Sequence, residues 1–271
     1  VSYSYTAFWT AAARARESER ADALFVDPFA GRLSGPRGQA ALAASEAASG
    51  MPNPFLPIRT RWFDDRVSAS DAKQLVVLGA GMDARAFRFR TPEAVFELDL
   101  AESFDHKERV LAGELPLARR TVVRTDVTGE WAVDLLAAGF DRRLPTQWVA
   151  EGLLFYLDGP AVGRMLRAAA GLSAPGSEFL ADVFGSGLLG TPGMAEFIAA
   201  RAKAALPPPF CTDQPEALFR AAGWQAHCTL VGSAEANFGR LPMLQPDLPS
   251  TESSVPGMRT YLVRAGIHAG V

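Results

Sequence analysis

Residues 74–89, QLVVLGAGMDARAFRF, constrain the fold of this chain more than any other stretch. A short apolar run, Leu75-Val76-Val77-Leu78, is stopped by Gly79-Ala80-Gly81, and an amphipathic stretch follows. An apolar run of this length, ended by glycines, suits a strand buried on both faces of a parallel sheet. The glycines let the backbone turn sharply and let a ligand approach it closely. Strand, glycine turn and helix open a nucleotide-binding α/β unit. The spacing Gly79-x-Gly81-x-x-Ala84 also satisfies the dinucleotide fingerprint, so other residues have to decide the class of ligand.

From residue 74 the pattern alternates. Strand-like runs cover 74–78, 94–99, 121–124, 147–151 and 178–183. Helical patterns at 102–112, 131–138 and 159–171 separate them, the last started by Asp158 as its cap. Strands separated by helices of this length imply right-handed crossovers and a parallel sheet. The alternation then breaks. Residues 185–214 hold a glycine-rich entry, a helix near 195–205 and Pro207-Pro208-Pro209, and read as an inserted lid. A helix at 216–222 precedes strands at 224–230 and 258–264, with a Pro/Ser-rich loop at 245–257 and no crossover helix between the strands. This predicts a final hairpin returning antiparallel into the sheet.

About seventy residues precede the first strand. Helices are expected over 5–24, 37–49 and 58–68. Asp27-Pro28 supplies an N-cap with proline at the first helical position, and the prolines and glycine of 50–57 make a loop. The division is a helical cap, 1–70, over a core, 71–271, in one structural unit. The expected class is α/β, Rossmann-like, with a mostly parallel sheet and a C-terminal antiparallel hairpin.

At 271 residues and 48% hydrophobic the chain can bury a large core. A net charge of −3 gives no basic surface for nucleic acid. Cys211 and Cys228 make neither a CxxC pair nor a disulfide framework, which favours a reduced, cytoplasmic setting. His106, His227 and His268 are scattered without metal-ligand spacing, so no metal is expected. No apolar run approaches the ~20 residues of a membrane span, so no membrane partner is expected. Nothing in the sequence sets the oligomeric state.

The ligand is decided at the strand ends. In an open parallel sheet ligands sit at the carboxyl ends of the strands. Gly79 and Gly81 follow the first strand, Asp99 ends the second, Asp126 follows the third and Glu151 ends the fourth. A carboxylate at Asp99 can accept both hydroxyls of a ribose, and Asp126 is placed to reach an adenine amino group. Asp83 falls at the start of the helix, where a dinucleotide would put its pyrophosphate. A helix N-terminus favours anions, and a carboxylate already there repels a phosphate. The ligand therefore has an adenosine half and no phosphates, as S-adenosylmethionine does. The plain alternative for each acid is a helix cap or a surface turn.

These residues resemble the leucine carboxyl methyltransferase family of S-adenosylmethionine-dependent methyltransferases, and most closely its bacterial branch, which includes O-methyltransferases of polyketide biosynthesis. The resemblance rests on Thr6-Ala7 with Ala13-Arg14-Ala15-Arg16-Glu17, Leu24-Phe25-Val26-Asp27-Pro28-Phe29-Ala30, Ile58-Arg59-Thr60-Arg61-Trp62-Phe63-Asp64-Asp65, Leu78-Gly79-Ala80-Gly81-Met82-Asp83-Ala84-Arg85, Glu97-Leu98-Asp99 and Ala150-Glu151-Gly152-Leu153-Leu154-Phe155-Tyr156-Leu157. The C-terminal third matches only loosely. The resemblance implies a class I methyltransferase fold and S-adenosyl-L-methionine as cofactor, leaving as S-adenosyl-L-homocysteine. It implies that Arg59 binds the carboxylate of the methionine end and that Gly79 and Gly81 lie under that end. It places Asp99 on the ribose, Asp126 with Val127 at the adenine, and Glu151 facing the ammonium. Arg14 would lie near the cofactor or substrate. The plain alternative for Arg59 and Arg61 is a solvated helix face paired with Asp64 or Asp65; Arg61, on a different face from Arg59, reads as the surface residue.

Methyl transfer from a sulfonium needs alignment more than acid–base help. A carboxylate acceptor is ionised at neutral pH, whereas a phenol or alcohol benefits from a general base. Neither His106 nor His227 reads as that base. This favours a small-molecule carboxylate, such as a polyketide-type acid, over a hydroxyl acceptor. Tyr156 is the one side chain offered as a catalytic or substrate contact. Phe8, Trp9 and Phe55, with Phe184 or Phe210, are offered as an apolar acceptor wall. The residues leave open a protein C-terminal carboxyl acceptor, an NAD(P)-dependent oxidoreductase, and a non-catalytic binding module.

Overall fold

The computed structural model describes residues 4–50, 52–90, 92–191, 194–241 and 259–267. The described strands form one sheet: β1 Gln74–Leu78, β2 Ala94–Asp99, β3 Arg119–Arg124, β4 Thr146–Ala150, β5 Glu178–Phe184, β6 Gln225–Leu230 and β7 Thr260–Gly266. Their order is β3-β2-β1-β4-β5-β7-β6. The first five run parallel. The last two strands form the expected antiparallel hairpin, and the last of them slots between β5 and β6, a place the sequence does not dictate.

The alternation of side chains along each strand explains the two cores. Leu75 and Val77 of β1 face one side of the sheet, and Val76 and Leu78 the other. The first face packs against α3 Phe55–Ser68 and α5 Ala101–Val110, through Ile58, Trp62, Phe63, Val67 and Phe104. The second packs under α6 Trp131–Ala137, α7 Gly159–Gly171 and α9 Pro215–Ala221, with Trp148, Phe179, Phe219 and Trp224 at its centre. Each such ring contributes roughly 1.5–3 kcal/mol on burial. Two indoles also find partners: Trp148 donates to Ser173 Oγ (2.8 Å) and Trp224 to Leu166 O (2.9 Å).

Two more helices precede β1: α1 Ser4–Ser18 and α2 Ala30–Ser49. The first packs on the second so closely that a Cβ at Gly38 would meet Phe8 O at 2.4 Å. It ends at Ser18, six residues before the end expected from composition. Glu17 is buried and draws the returning chain back on itself, accepting from Leu24 N (2.9 Å) and pairing with Arg240 (2.6 Å). The second helix is interrupted at Gly35, whose φ of 54° precedes Pro36. The N-cap position is Phe29 rather than Asp27, and Pro28 precedes the helix; Asp27 Oδ1 still accepts from Phe29 N and Ala30 N (both 3.1 Å) in the turn that leads into it. The third begins at Phe55, inside the stretch expected to be loop. Pro57 sits in its first turn, where no backbone donor is needed, and Asn53 Oδ1 accepts from Phe55 N (2.9 Å).

After β1 comes a single helical turn, α4 Arg85–Arg88, and after β5 the helix α8 Ala195–Lys203. Asp158 caps α7 as expected, accepting from Ala161 N at 2.7 Å. The loop expected at 245–257, the start of the last strand at Met258, and His268 lie outside the described residues. Among the described residues no helix is long and apolar enough to cross a membrane.

Candidate active site

The strand order reverses at β1, which lies between β2 and β4, and in open α/β sheets the ligand crevice lies at the carboxyl ends of the strands at such a point. The chain leaves β1 through Gly79 (φ 65°) and Gly81 (φ 41°). A Cβ at Gly79 would stand 2.8 Å from Leu153 Cδ1, and one at Gly81 would stand 3.2 Å from Ala7 Cβ. The turn is therefore walled by the segment after β4 and by the start of α1. Gly81 N donates to Asp99 Oδ2 (2.6 Å), while Leu100 N and Ser103 Oγ donate to Oδ1 (2.7 and 3.1 Å). Thr125 N donates to Asp99 O (2.9 Å) and holds the ends of β2 and β3 side by side. Asp126 is exposed there and accepts from Thr128 N and Oγ1 (both 2.8 Å); Val127 is half-buried against the core.

Behind the turn lies a chain of buried charges. Arg59, on the inner face of α3, donates from Nε to Glu151 Oε1 (3.1 Å) and from Nη1 to Asp182 Oδ2 (3.2 Å). Arg85 donates from Nη2 to the other oxygen of Glu151 (2.7 Å), from Nε to Asp64 Oδ1 (2.9 Å) and from Nη1 to Asp83 Oδ2. Asp83 also accepts the Arg85 backbone N–H (2.7 Å), and Arg88 pairs with Asp64. Three arginines thus face four carboxylates, leaving one negative charge in excess.

The titration of these acids follows their partners. Burial pushes the Glu151 carboxyl up, but Arg85 and Arg59 outweigh it and hold it below the usual range. Burial likewise opposes Asp83, and Arg85, Lys107 and the Arg85 N–H bring it below its ordinary value. For Asp64 and Asp182 burial wins, and both are raised despite their arginines.

The residues offered for the acceptor fall into two groups. Tyr156 and Phe184 belong to a cluster of half-buried rings with Phe55, Phe155 and Phe197. Phe155 stacks on Phe197 with centroids 5.4 Å apart, and meets Phe184 at 5.2 Å and Tyr156 at 5.6 Å. Phe55 joins Phe184 at 5.7 Å and lies 5.3 Å from the Arg59 guanidinium carbon. Burial raises the Tyr156 phenol above its usual pKa, and its hydroxyl is hydrogen-bonded to Thr6, so it is protonated at neutral pH. The others stand on α1, and of these Trp9 reaches Phe55 through a shared apolar cluster. Phe8 packs edge-on against His106 at 4.6 Å, under Arg37. Trp9 packs on the small cluster of Ala12, Ala13, Leu42 and Leu56. Arg14 bonds Asp27 Oδ2 (2.9 Å) and Met82 O (2.6 Å), tying α1 to the glycine turn. His106 Nε2 meets Leu33 O at 3.0 Å, and His227 is exposed on β6, an edge strand.

This arrangement can be set against known proteins. The family model for leucine carboxyl methyltransferase matches residues 7–170, from α1 to the end of α7. The chain belongs to the leucine carboxyl methyltransferase family of S-adenosylmethionine-dependent methyltransferases. Two similar proteins each bear the name "putative S-adenosyl-L-methionine-dependent methyltransferase". One, from Frankia alni, is 38% identical over 89% of this chain and 88% of its own length. The other, from Streptomyces coelicolor, is 36% identical over 93% of each chain. The solved structure of a DUF574 family protein of Streptomyces avermitilis superposes with a TM-score of 0.58 at 15% identity, covering 95% of this chain and 96% of that one. That likeness concerns the fold, a class I methyltransferase sheet with its antiparallel hairpin.

In this methyltransferase several residues of the crevice carry no sequence expectation. Arg85 is one of them; Asp64, expected only as a surface partner of Arg59 or Arg61, is instead buried between Arg85 and Arg88. Phe155 and Phe197 come from segments 42 residues apart. Asp182 had one signal, a lone charge within the apolar run Phe179-Leu180-Ala181-Asp182-Val183. The family match ends before β5, so Asp182 and Phe197 lie beyond it.

Proposed function

We propose that this methyltransferase esterifies a carboxylate of a small, ring-bearing acid, of the polyketide type. The observation that carries the reading is the half-exposed cluster of rings beside Arg59, next to a crevice whose charges suit an amino-acid end. S-adenosylmethionine bound there supplies a methyl group on a sulfonium. Its adenosine end would lie over the glycine turn, with Asp99 on the ribose and Asp126 on the adenine edge. Leu100, 42% exposed beside Asp99, and Val127 offer apolar flanks for the base. Arg59 would take the carboxylate of the methionine end and Glu151 its ammonium. Arg presents a planar fork suited to a carboxylate. One surplus negative charge balances a cofactor with two positive groups and one negative one.

The acceptor reading rests on the chemistry at hand. Tyr156, held protonated, can donate a hydrogen bond to an acceptor oxygen but does not serve as its base. Neither described histidine belongs to the ring cluster. An acceptor that arrives ionised needs neither. Phe55, Phe155, Phe184 and Phe197 would hold an apolar ring and keep water from the transfer. The helices before β1 would act as a cap over the crevice and residues 185–214 as a lid. With Cys211 and Cys228 as free thiols, a reduced cytoplasm suits the protein.

The test is turnover, followed as S-adenosylhomocysteine release, against paired panels of aromatic acids and phenols. Methyl esters of acids are expected. Turnover of phenols alone would overturn the carboxylate, turnover of a peptide carboxyl terminus alone would overturn the small-molecule acceptor, and absence of cofactor binding in calorimetry would overturn the whole reading.

A further inference from the structure

Asp182 is buried in β5, 2% exposed, on the sheet face that also carries Leu180. A carboxylate so placed is costly unless both oxygens are engaged. Here each oxygen grips a different wall of the crevice. Oδ1 accepts from Gly152 N at 2.6 Å, and Oδ2 accepts from Arg59 Nη1 at 3.2 Å. The two partners also touch each other. Gly152 turns at φ 66°, and a Cβ there would fall 3.0–3.3 Å from the Arg59 guanidinium atoms. The guanidinium therefore lies against the bare backbone of the turn after β4, and one carboxylate fastens both.

The bonds around Arg59 define a plane. Nε is fixed by Glu151 and Nη1 by Asp182, on the ends of adjacent strands β4 and β5. A guanidinium held at two of its nitrogens cannot rotate about its last bonds, so the direction of Nη2 is set. Glu151 is in turn held by Arg85, which leaves Asp182 as the partner that completes the plane.

We propose that Asp182 is a positioning residue that fixes the Arg59 fork for the amino-acid end of the cofactor. It acts through Arg59 and touches neither cofactor nor acceptor. This rests on the proposed role of Arg59 at the cofactor carboxylate. Asp182→Asn keeps an oxygen for Gly152 N–H but removes the charge that orients Arg59.

The experiment compares two ligands by calorimetry. S-adenosylhomocysteine carries the amino-acid end; 5′-methylthioadenosine has the same thioether nucleoside without it. Asp182→Asn should weaken S-adenosylhomocysteine about tenfold and leave methylthioadenosine within about twofold. Arg59→Met should show the same selectivity, and the double variant should bind no more weakly than Arg59→Met alone, because the two act in series. If Asp182→Asn does not fold, Asp182→Glu, which displaces the carboxylate by one methylene, should give the same selective loss. Equal weakening of both ligands would reduce Asp182 to a support of the fold, and unchanged homocysteine-end binding would remove it from the site. A distinct failure, Arg59→Met leaving S-adenosylhomocysteine affinity intact, would overturn the underlying role of Arg59 instead.

Discussion

Replacing Arg85 by methionine isolates the energetics of the charged crevice. Methionine fills most of the side-chain volume and brings no charge. Arg85 is 3% exposed and bonds three carboxylates. Their losses are unequal. Asp64 keeps Arg88 and Glu151 keeps Arg59, whereas Asp83 keeps only the backbone N–H of residue 85 as a direct partner. Removing one partner of a buried ion pair costs about 3–5 kcal/mol, because the other charge is left unpaired. A domain holds only about 5–15 kcal/mol in total. At a urea m-value of about 3 kcal/mol/M, the midpoint should fall by roughly 1–1.7 M with the slope unchanged. Asp83→Asn in the Arg85→Met background should recover part of the loss, since it removes the charge left most exposed to the penalty. A midpoint shift under about 0.3 M would show that water already solvates these charges. Full additivity of the two substitutions would show that Asp83 does not depend on Arg85.

Two further outcomes follow from the same geometry. Phe197→Ala removes a ring stacked on Phe155, and should raise the acceptor KM about tenfold, or ~1.4 kcal/mol, with cofactor Kd within about twofold; steady-state and calorimetric titrations check it, and equal losses in both would place the ring cluster at the cofactor instead. Asp83 is held below its ordinary pKa by Arg85 and Lys107 against the opposing effect of burial, so its ionic contribution to stability is full above about pH 4 and is lost as pH falls through the lowered value. The stability gap between the native chain and Asp83→Asn, from urea melts across pH, should therefore hold steady down to about pH 4 and close below it; a gap that widens on acidification contradicts the assignment.

The strands, their parallel order and the closing hairpin were legible because they rest on local patterns. A short apolar run bounded by glycine or a polar turn has few other uses, and alternation with helices fixes the crossovers. Helix ends were less legible, because partners distant in sequence decide them. The first helix stops at Ser18 because Glu17 meets Arg240, 223 residues away. The third starts before Pro57 because proline costs nothing in a first turn. At the crevice, the turn and Asp99 could be placed by counting from a strand end. The partners of Arg59 could not: Glu151 is 92 residues distant and Asp182 123. Spacing on a helix shows which side a charge faces, not which carboxylate waits there. Arg61, two residues on, pairs with Asp65 at i+4 and its side chain is 38% exposed, as helical spacing leads one to expect.

The buried charges are hard to account for as a device of stability. A buried ion pair is often matched or bettered by apolar side chains of the same volume, since desolvation offsets the attraction. The second core, behind β4 and β5, shows that this chain packs apolar rings at the same depth where it can. Single buried pairs occur elsewhere, as at Glu97 with Lys107 and Glu17 with Arg240, but seven linked charges gather at the strand ends around β1, and that density points to a task there. Groups already fixed in place do not have to reorganise when a charged ligand arrives. Glu151 between two arginines, and Arg59 between two carboxylates, are such groups: each has its orientation set by partners that are themselves held. The surplus carboxylate charge is then a property of the whole set rather than of any one acid, and it favours a ligand end with a net positive charge. A phosphate-bearing dinucleotide would meet that surplus at Asp83, the one acid of the four that lies directly on the glycine turn.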